Sequence, residues 1–131
     1  MEGVREKKYS VMVVEDDHSS RVLVVELLGA MGIEDIIEAG DGKDALLKLY
    51  WNDVDLVISD WRMPEMNGLE FYKQAKADGL IDNVPVLMVS AEKEKIKVIE
   101  AAKEGINDYV IKPIDLMVMQ EKVRKLLKMP D

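Results

Sequence analysis

The segment Val11-Met12-Val13-Val14-Glu15-Asp16-Asp17-His18-Ser19-Ser20, continued by Arg21 to Met31, decides the fold class. Its apolar start is strand length and rich in β-branched residues. Asp17 to Ser20 is a run of residues that cap helices. Beyond it Leu23, Leu27 and Met31 recur at helical spacing. A strand that passes through a cap into a helix, with no hairpin turn, is one βα unit. Similar apolar runs follow at Ile36 to Ile37, Leu56 to Ile58, Val86 to Val89 and Tyr109 to Ile111. Helical segments lie between and after them. The last, Leu116 to Lys128, places Leu116, Met119, Val123 and Leu126 on one face. Gly32, Gly79 and Gly105 stand where helices end, and Asp41 with Asp44 caps the second helix. Asn67-Gly68 leads into a helical stretch, Leu69 to Ala77, and so belongs to a helix-entry loop, not a hairpin. The alternation predicts an α/β chain of (βα)5 form. Its nearly continuous apolar strands imply a doubly wound parallel sheet buried on both faces.

Composition bounds the rest. In 131 residues, 18 basic and 26 acidic side chains leave a net charge of −8, with 48% of residues apolar and 34% charged. One domain with a full core is expected. The absence of cysteine excludes a disulfide framework, a thiolate metal site and a cysteine nucleophile. No apolar run approaches a membrane span, and Met1 to Lys8 lacks a signal-peptide core, so a cytoplasmic location is expected with no membrane contact. The acidic balance argues against direct binding of nucleic acid. The nine methionines read mainly as core filler.

In open parallel sheets, ligands sit outside the carboxyl ends of the strands. The residues placed there are Glu15 and Asp16, then Asp60, Ser90 and Lys112. Any one of these acids could merely open a loop. Together they put three carboxylates, a hydroxyl and a cation in one crevice. Two carboxylates about 4 Å apart repel by ~4 kcal/mol at an effective dielectric near 20, so a divalent cation is the natural compensation. Oxygen-only ligands select Mg²⁺, with Mn²⁺ as an alternative. Lys112 and Ser90 suit phosphate oxygens, and a carboxylate can accept a phosphoryl group. Asp17 and His18 could extend the cluster, although capping is the simpler role for Asp17. Trp61 reads as an aromatic lining the crevice, and Tyr109 as a half-buried strand aromatic.

Val13-Val14-Glu15-Asp16, Val57-Ile58-Ser59-Asp60-Trp61-Arg62-Met63-Pro64-Glu65-Met66-Asn67-Gly68, Val86-Leu87-Met88-Val89-Ser90-Ala91-Glu92 and Tyr109-Val110-Ile111-Lys112-Pro113 together resemble a response-regulator receiver domain of the single-domain chemotaxis kind. The resemblance covers the chain after Tyr9. It implies a flavodoxin-like sheet of order 2-1-3-4-5, a receiver at residues 9–128, an N-terminal extension at 1–8, a tail at 129–131 and no output domain. It implies Asp60 as phosphoacceptor and metal ligation by Glu15, Asp16, Asp60 and the main-chain carbonyl of Arg62. Ser90 and Lys112 become the phosphoryl contacts, Tyr109 the switch aromatic, and Lys112-Pro113 a cis bond. Arg62 and Glu92, flanking the acceptor and the hydroxyl, are expected to tune phosphoryl lifetime. The implied function is phosphorylation-activated signalling in a two-component system, in chemotaxis or as a phosphorelay intermediate. The implied partners are a sensor histidine kinase and a target such as a flagellar motor switch protein, with the chain itself a monomer. A turnover enzyme is not expected. The competing class is an aspartyl-nucleophile phosphatase, whose Asp-x-Asp-x-Val pattern Asp53-Val54-Asp55-Leu56-Val57 matches. Those acids precede the apolar run and fall at the wrong end of the strand. The stretch Lys112 to Lys128 carries a net +3 and suggests a basic docking face.

Overall fold

The computed structural model describes residues 7–91 and 95–130. Strands and helices alternate as β1 (Ser10–Val14), α1 (His18–Ala30), β2 (Asp35–Ala39), α2 (Gly42–Trp51), β3 (Leu56–Asp60), α3 (Gly68–Ala77), β4 (Val86–Ser90), α4 (Lys95–Glu104), β5 (Asp108–Ile111) and α5 (Leu116–Leu127). The five strands form one parallel sheet in the order β2-β1-β3-β4-β5. This is the doubly wound α/β topology expected above.

Strand periodicity divides the core in two. Val11, Val13, Leu56, Ile58, Leu87, Val89 and Val110 meet α1 and α5 through Val24, Leu27, Leu28, Met119, Val123 and Leu127. Met12, Val14, Val57, Val86 and Met88 face the opposite layer, where Ala45 and Leu49 of α2, Phe71, Tyr72 and Ala75 of α3 and Ala101 of α4 pack. The central strands β3 and β4 are buried along their whole length, hence their unbroken apolar runs. The edge strand β2 is mostly half-exposed or exposed, and only its Ile36-Ile37 centre was legible.

Helix ends follow the local chemistry. Asp17 caps α1 by accepting from the Ser20 amide at 2.9 Å, and Asp41 caps α2 by accepting from Asp44 at 2.7 Å. Asn67 and Glu70 form a reciprocal capping box at α3. Gly32, Gly79 and Gly105 all take positive φ after helices, as their placement predicted. Two helix stripes differ from expectation. Leu23 in α1 and Leu116 in α5 are exposed, and the buried sets are Val24, Leu27, Leu28 and Met119, Val123, Leu127, with Leu126 half-buried. Four residues turn a helix by about 400°, so a row of residues four apart winds ~40° per step away from the core. Most described methionines are buried or half-buried, but Met117 is 80% exposed.

Candidate functional site

Parallel register assembles the site. Val14 pairs with Ser59, so Glu15 and Asp60 stand level at the ends of β1 and β3. Asp60 pairs with Val89 and Ser90 with Ile111, which carries the same edge to Lys112. Strand alternation puts Glu15, Asp60 and Lys112 toward the α1 and α5 side, continuing the rows of Val13, Ile58 and Val110. The lysine Nζ lies 2.8 Å from Glu15 Oε1 and 3.4 Å from Asp60 Oδ2. Carboxylate oxygens of Glu15, Asp16 and Asp60 all lie within 4.8 Å of one another. Glu15 and Asp60 are buried, whereas Asp16 stands at the rim. Ser90 is fully buried, and its carbonyl accepts from the Lys112 amide at 2.8 Å.

The electrostatics are those of a crowded acidic site. Burial, followed by the adjacent Asp60 carboxylate, raises the pKa of Glu15 above its ordinary value, and Lys112 offsets this only in part. Partial burial and then Glu15 raise Asp16. Burial disfavours the charge on Lys112, but hydrogen bonding to Glu15 and the charge of Asp60 outweigh it and raise the lysine overall. The lone cation is thus held charged among acids that together exceed it. Such a cluster is suited to a small divalent ion with oxygen ligands.

Each strand-end residue read from the sequence reaches the site. Trp61 is buried beside Asp60 and lines a crevice of about 470 Å³ with Asp16, Arg62, Met63, Pro64, Asn67 and Lys97. Arg62 is exposed at this mouth, and Glu92 lies outside the described residues. Asp17 is committed to capping, and the backbone hydrogen bond from Ser20 lowers its pKa. His18 is not in the acidic group. Tyr109 is half-buried against the α2, α3 and α4 layer, and Lys112-Pro113 is cis. Asp55 sits at the opposite pole, accepting from the Ser10 amide at 2.8 Å, so the Asp-x-Asp pattern is structural.

Three features escaped the sequence. Arg21 reaches from α1 to the Glu15 carbonyl at 2.7 Å. A helical arginine ordinarily reads as a solvated charge, and no spacing marks this one. Gly68 brings its amide 2.7 Å from the Trp61 carbonyl, in a space with no room for a side chain. Lys122, part of the supposed basic face, bonds Asp108 at 2.7 Å and the Tyr109 carbonyl at 3.0 Å. With Lys112 turned into the site as well, the net +3 of this stretch is not a uniform docking surface. What α4, β5 and α5 expose is apolar: Ile96, Ile99, Ile111, Leu116, Met117 and Val118.

A doubly wound sheet with an acidic cluster and a lysine at its carboxyl edge defines a signalling receiver, and the chain belongs to the response regulator receiver domain family, whose model matches residues 11–124. Among curated relatives it is similar to chemotaxis protein CheY-3 of Vibrio cholerae, 37% identical over 128 residues and covering 98% of both chains. It is 39% identical to chemotaxis protein CheY1 of Helicobacter pylori over 118 residues, or 89% of this chain and 95% of that one. Among solved structures, Vibrio cholerae chemotaxis protein CheY4 matches with a TM-score of 0.85 at 29% identity, over 92% of this chain and 99% of that one. A response regulator from Chloroflexus aurantiacus gives 0.86 at 27%, over 93% and 99%. The chain is therefore a two-component receiver related to chemotaxis regulators, and its family is not a classical enzyme family. Among the described residues no helix is long and apolar enough to cross a membrane.

Proposed function

We propose that residues 9–128 form a phosphorylation-activated receiver that accepts a phosphoryl group on Asp60 in the cytoplasm and signals through a phosphorylation-dependent protein contact in chemotaxis. The observation that carries this reading is Lys112 Nζ held between Glu15 and Asp60, within a cluster of three carboxylates. The phosphodonor is a sensor histidine kinase. An Asp60 carboxylate oxygen attacks phosphorus in line, the phosphorus–nitrogen bond of the donor phosphohistidine breaks, and the departing imidazole keeps the bonding pair and takes a proton. The enzyme-like demand is for position and charge stabilisation, not for a strong base.

Glu15, Asp16, Asp60 and the Arg62 carbonyl would hold Mg²⁺, or Mn²⁺ in its place, and the ion would neutralise charge on the transferring phosphoryl oxygens. Lys112 donates to one phosphoryl oxygen and the Ser90 hydroxyl to another. Movement of Ser90 toward the phosphoryl group opens space for Tyr109, one strand away, to turn inward. Phosphorylation biases the two Tyr109 positions only through its differential interaction with them. The exposed apolar residues of α4, β5 and α5 then receive an amphipathic segment of the target, such as a flagellar motor switch protein. Incubation with acetyl phosphate and Mg²⁺ tests the chemistry: one acid-stable, base-labile phosphoryl group should appear in the wild type and none in Asp60→Asn.

A further inference from the structure

Arg21 grips the acidic pair from behind. Its Nη1 donates to the Glu15 carbonyl at 2.7 Å, and its Nε donates to Glu38 Oε1 at 3.1 Å. Glu15 also donates its own amide to the Ala39 carbonyl at 3.0 Å, so both its backbone groups are fixed. The bracing continues outward. Lys48 of α2 bonds the Glu38 carbonyl and lies 3.0 Å from Asp44, which accepts from the Gly40 amide at 3.3 Å. A chain of charged groups thus runs from the acidic pair across the edge strand β2 to α2. A planar guanidinium offers two donors in fixed relation, which a lysine does not.

We propose that Arg21 is a positioning residue for the divalent-cation site: it orients Glu15 and Asp16 without touching the ion. This rests on the Mg²⁺ reading above. Charge alone predicts the opposite effect, because a cation anchored beside the acidic pair repels a divalent ion and its removal should tighten binding. Glu38 meets the guanidinium, whose side chain is only 21% exposed, so repulsion is muted and geometry dominates. The sign of the change in affinity separates the two effects.

The test is a Mg²⁺ titration followed by Trp61 fluorescence in a Trp51→Phe background, with metal-free thermal unfolding alongside. Arg21→Met and Arg21→Lys should each weaken Mg²⁺ binding by roughly tenfold, the lower end for partners that orient metal ligands. Tighter binding in Arg21→Met, or wild-type affinity in Arg21→Lys, overturns the proposal. So does a lowered melting temperature with unchanged affinity, which marks a merely structural role. If Arg21→Met fails to fold, Arg21→Lys decides. A wild type that binds no Mg²⁺ overturns the metal reading itself, whereas equal binding by wild type and both variants overturns only the role of Arg21.

Discussion

Gly68→Ala should damage stability and phosphorylation together. A Cβ at position 68 would collide with the Asp60 carbonyl oxygen and stand 2.8 Å from Met88 Sδ and 3.1 Å from Trp61 Cα. Two of these three neighbours are backbone, and the third belongs to a fully buried side chain. Relief therefore requires the start of α3 to back away from the end of β3. That movement stretches the 2.7 Å bond from the Gly68 amide to the Trp61 carbonyl. Overpacking of this kind costs about 1–3 kcal/mol, and removing a glycine from the unfolded chain returns less than ~1 kcal/mol. For a domain of this size each kcal/mol moves the melting temperature by about 3–5 °C, so a fall of about 3–10 °C is expected by calorimetry. Because Asp60 is itself displaced, the rate of phosphorylation by acetyl phosphate, read from Trp61 fluorescence, should fall by about tenfold or more. A melting temperature within ~1 °C of wild type and a rate within about twofold would refute the close-approach argument.

Two further perturbations probe the charges and the output face. The raised pKa of Glu15 means that the unfolded chain releases this proton first, so stability falls as pH rises through the window that begins at the ordinary value of 4.5. Metal-free Glu15→Gln should accordingly melt above wild type at pH 7, lose that advantage below about pH 4, and fall below wild type in saturating Mg²⁺, which favours the chain that binds it. On the output face, Met117→Glu should leave the melting temperature unchanged and weaken binding of the phosphorylated protein to a motor-switch peptide, because Met117 is 80% exposed. Lys122→Glu should instead lower the melting temperature, since it replaces the 2.7 Å Lys122–Asp108 pair by two like charges.

Local chemistry explains why much of this molecule was legible before its structure. Buried parallel strands must be apolar on both faces, so β3 and β4 announce themselves, while the exposed edge strand β2 shows only Ile36 and Ile37. Strand order is set by contacts between distant segments, and periodicity does not encode it; it followed from the family resemblance. The strand-end rule located Glu15, Asp16, Asp60, Ser90 and Lys112, because a parallel sheet gathers whatever follows its strands. Arg21 and Lys122 were misjudged for one reason. A long cationic side chain looks the same in sequence whether it enters water or reaches a carbonyl several ångströms away. The helix faces slipped by a residue because four-residue spacing only approximates the 3.6-residue turn.

Buried charge has a cost that the rest of the fold must cover. Each ion taken from water costs several kcal/mol before its partners repay it, and Glu15, Asp60 and Lys112 bring three into one corner. Full burial of a side chain such as Phe71 or Met88 contributes ~1.5–3 kcal/mol, so the two apolar layers can sustain that corner. The acidic edge is accordingly the place where the chain exchanges stability for chemistry.

The central claim is that Asp60 alone accepts the phosphoryl group. Intact-mass measurement after exposure to acetyl phosphate and Mg²⁺ tests it most directly, with peptide mapping of the product after borohydride trapping. The account predicts a single phosphoryl increment, mapped to Asp60, that is lost in Asp60→Asn and suppressed by chelation of the metal. An increment of the same size and rate in Asp60→Asn, or one mapped to Asp16 or Ser90, would contradict it.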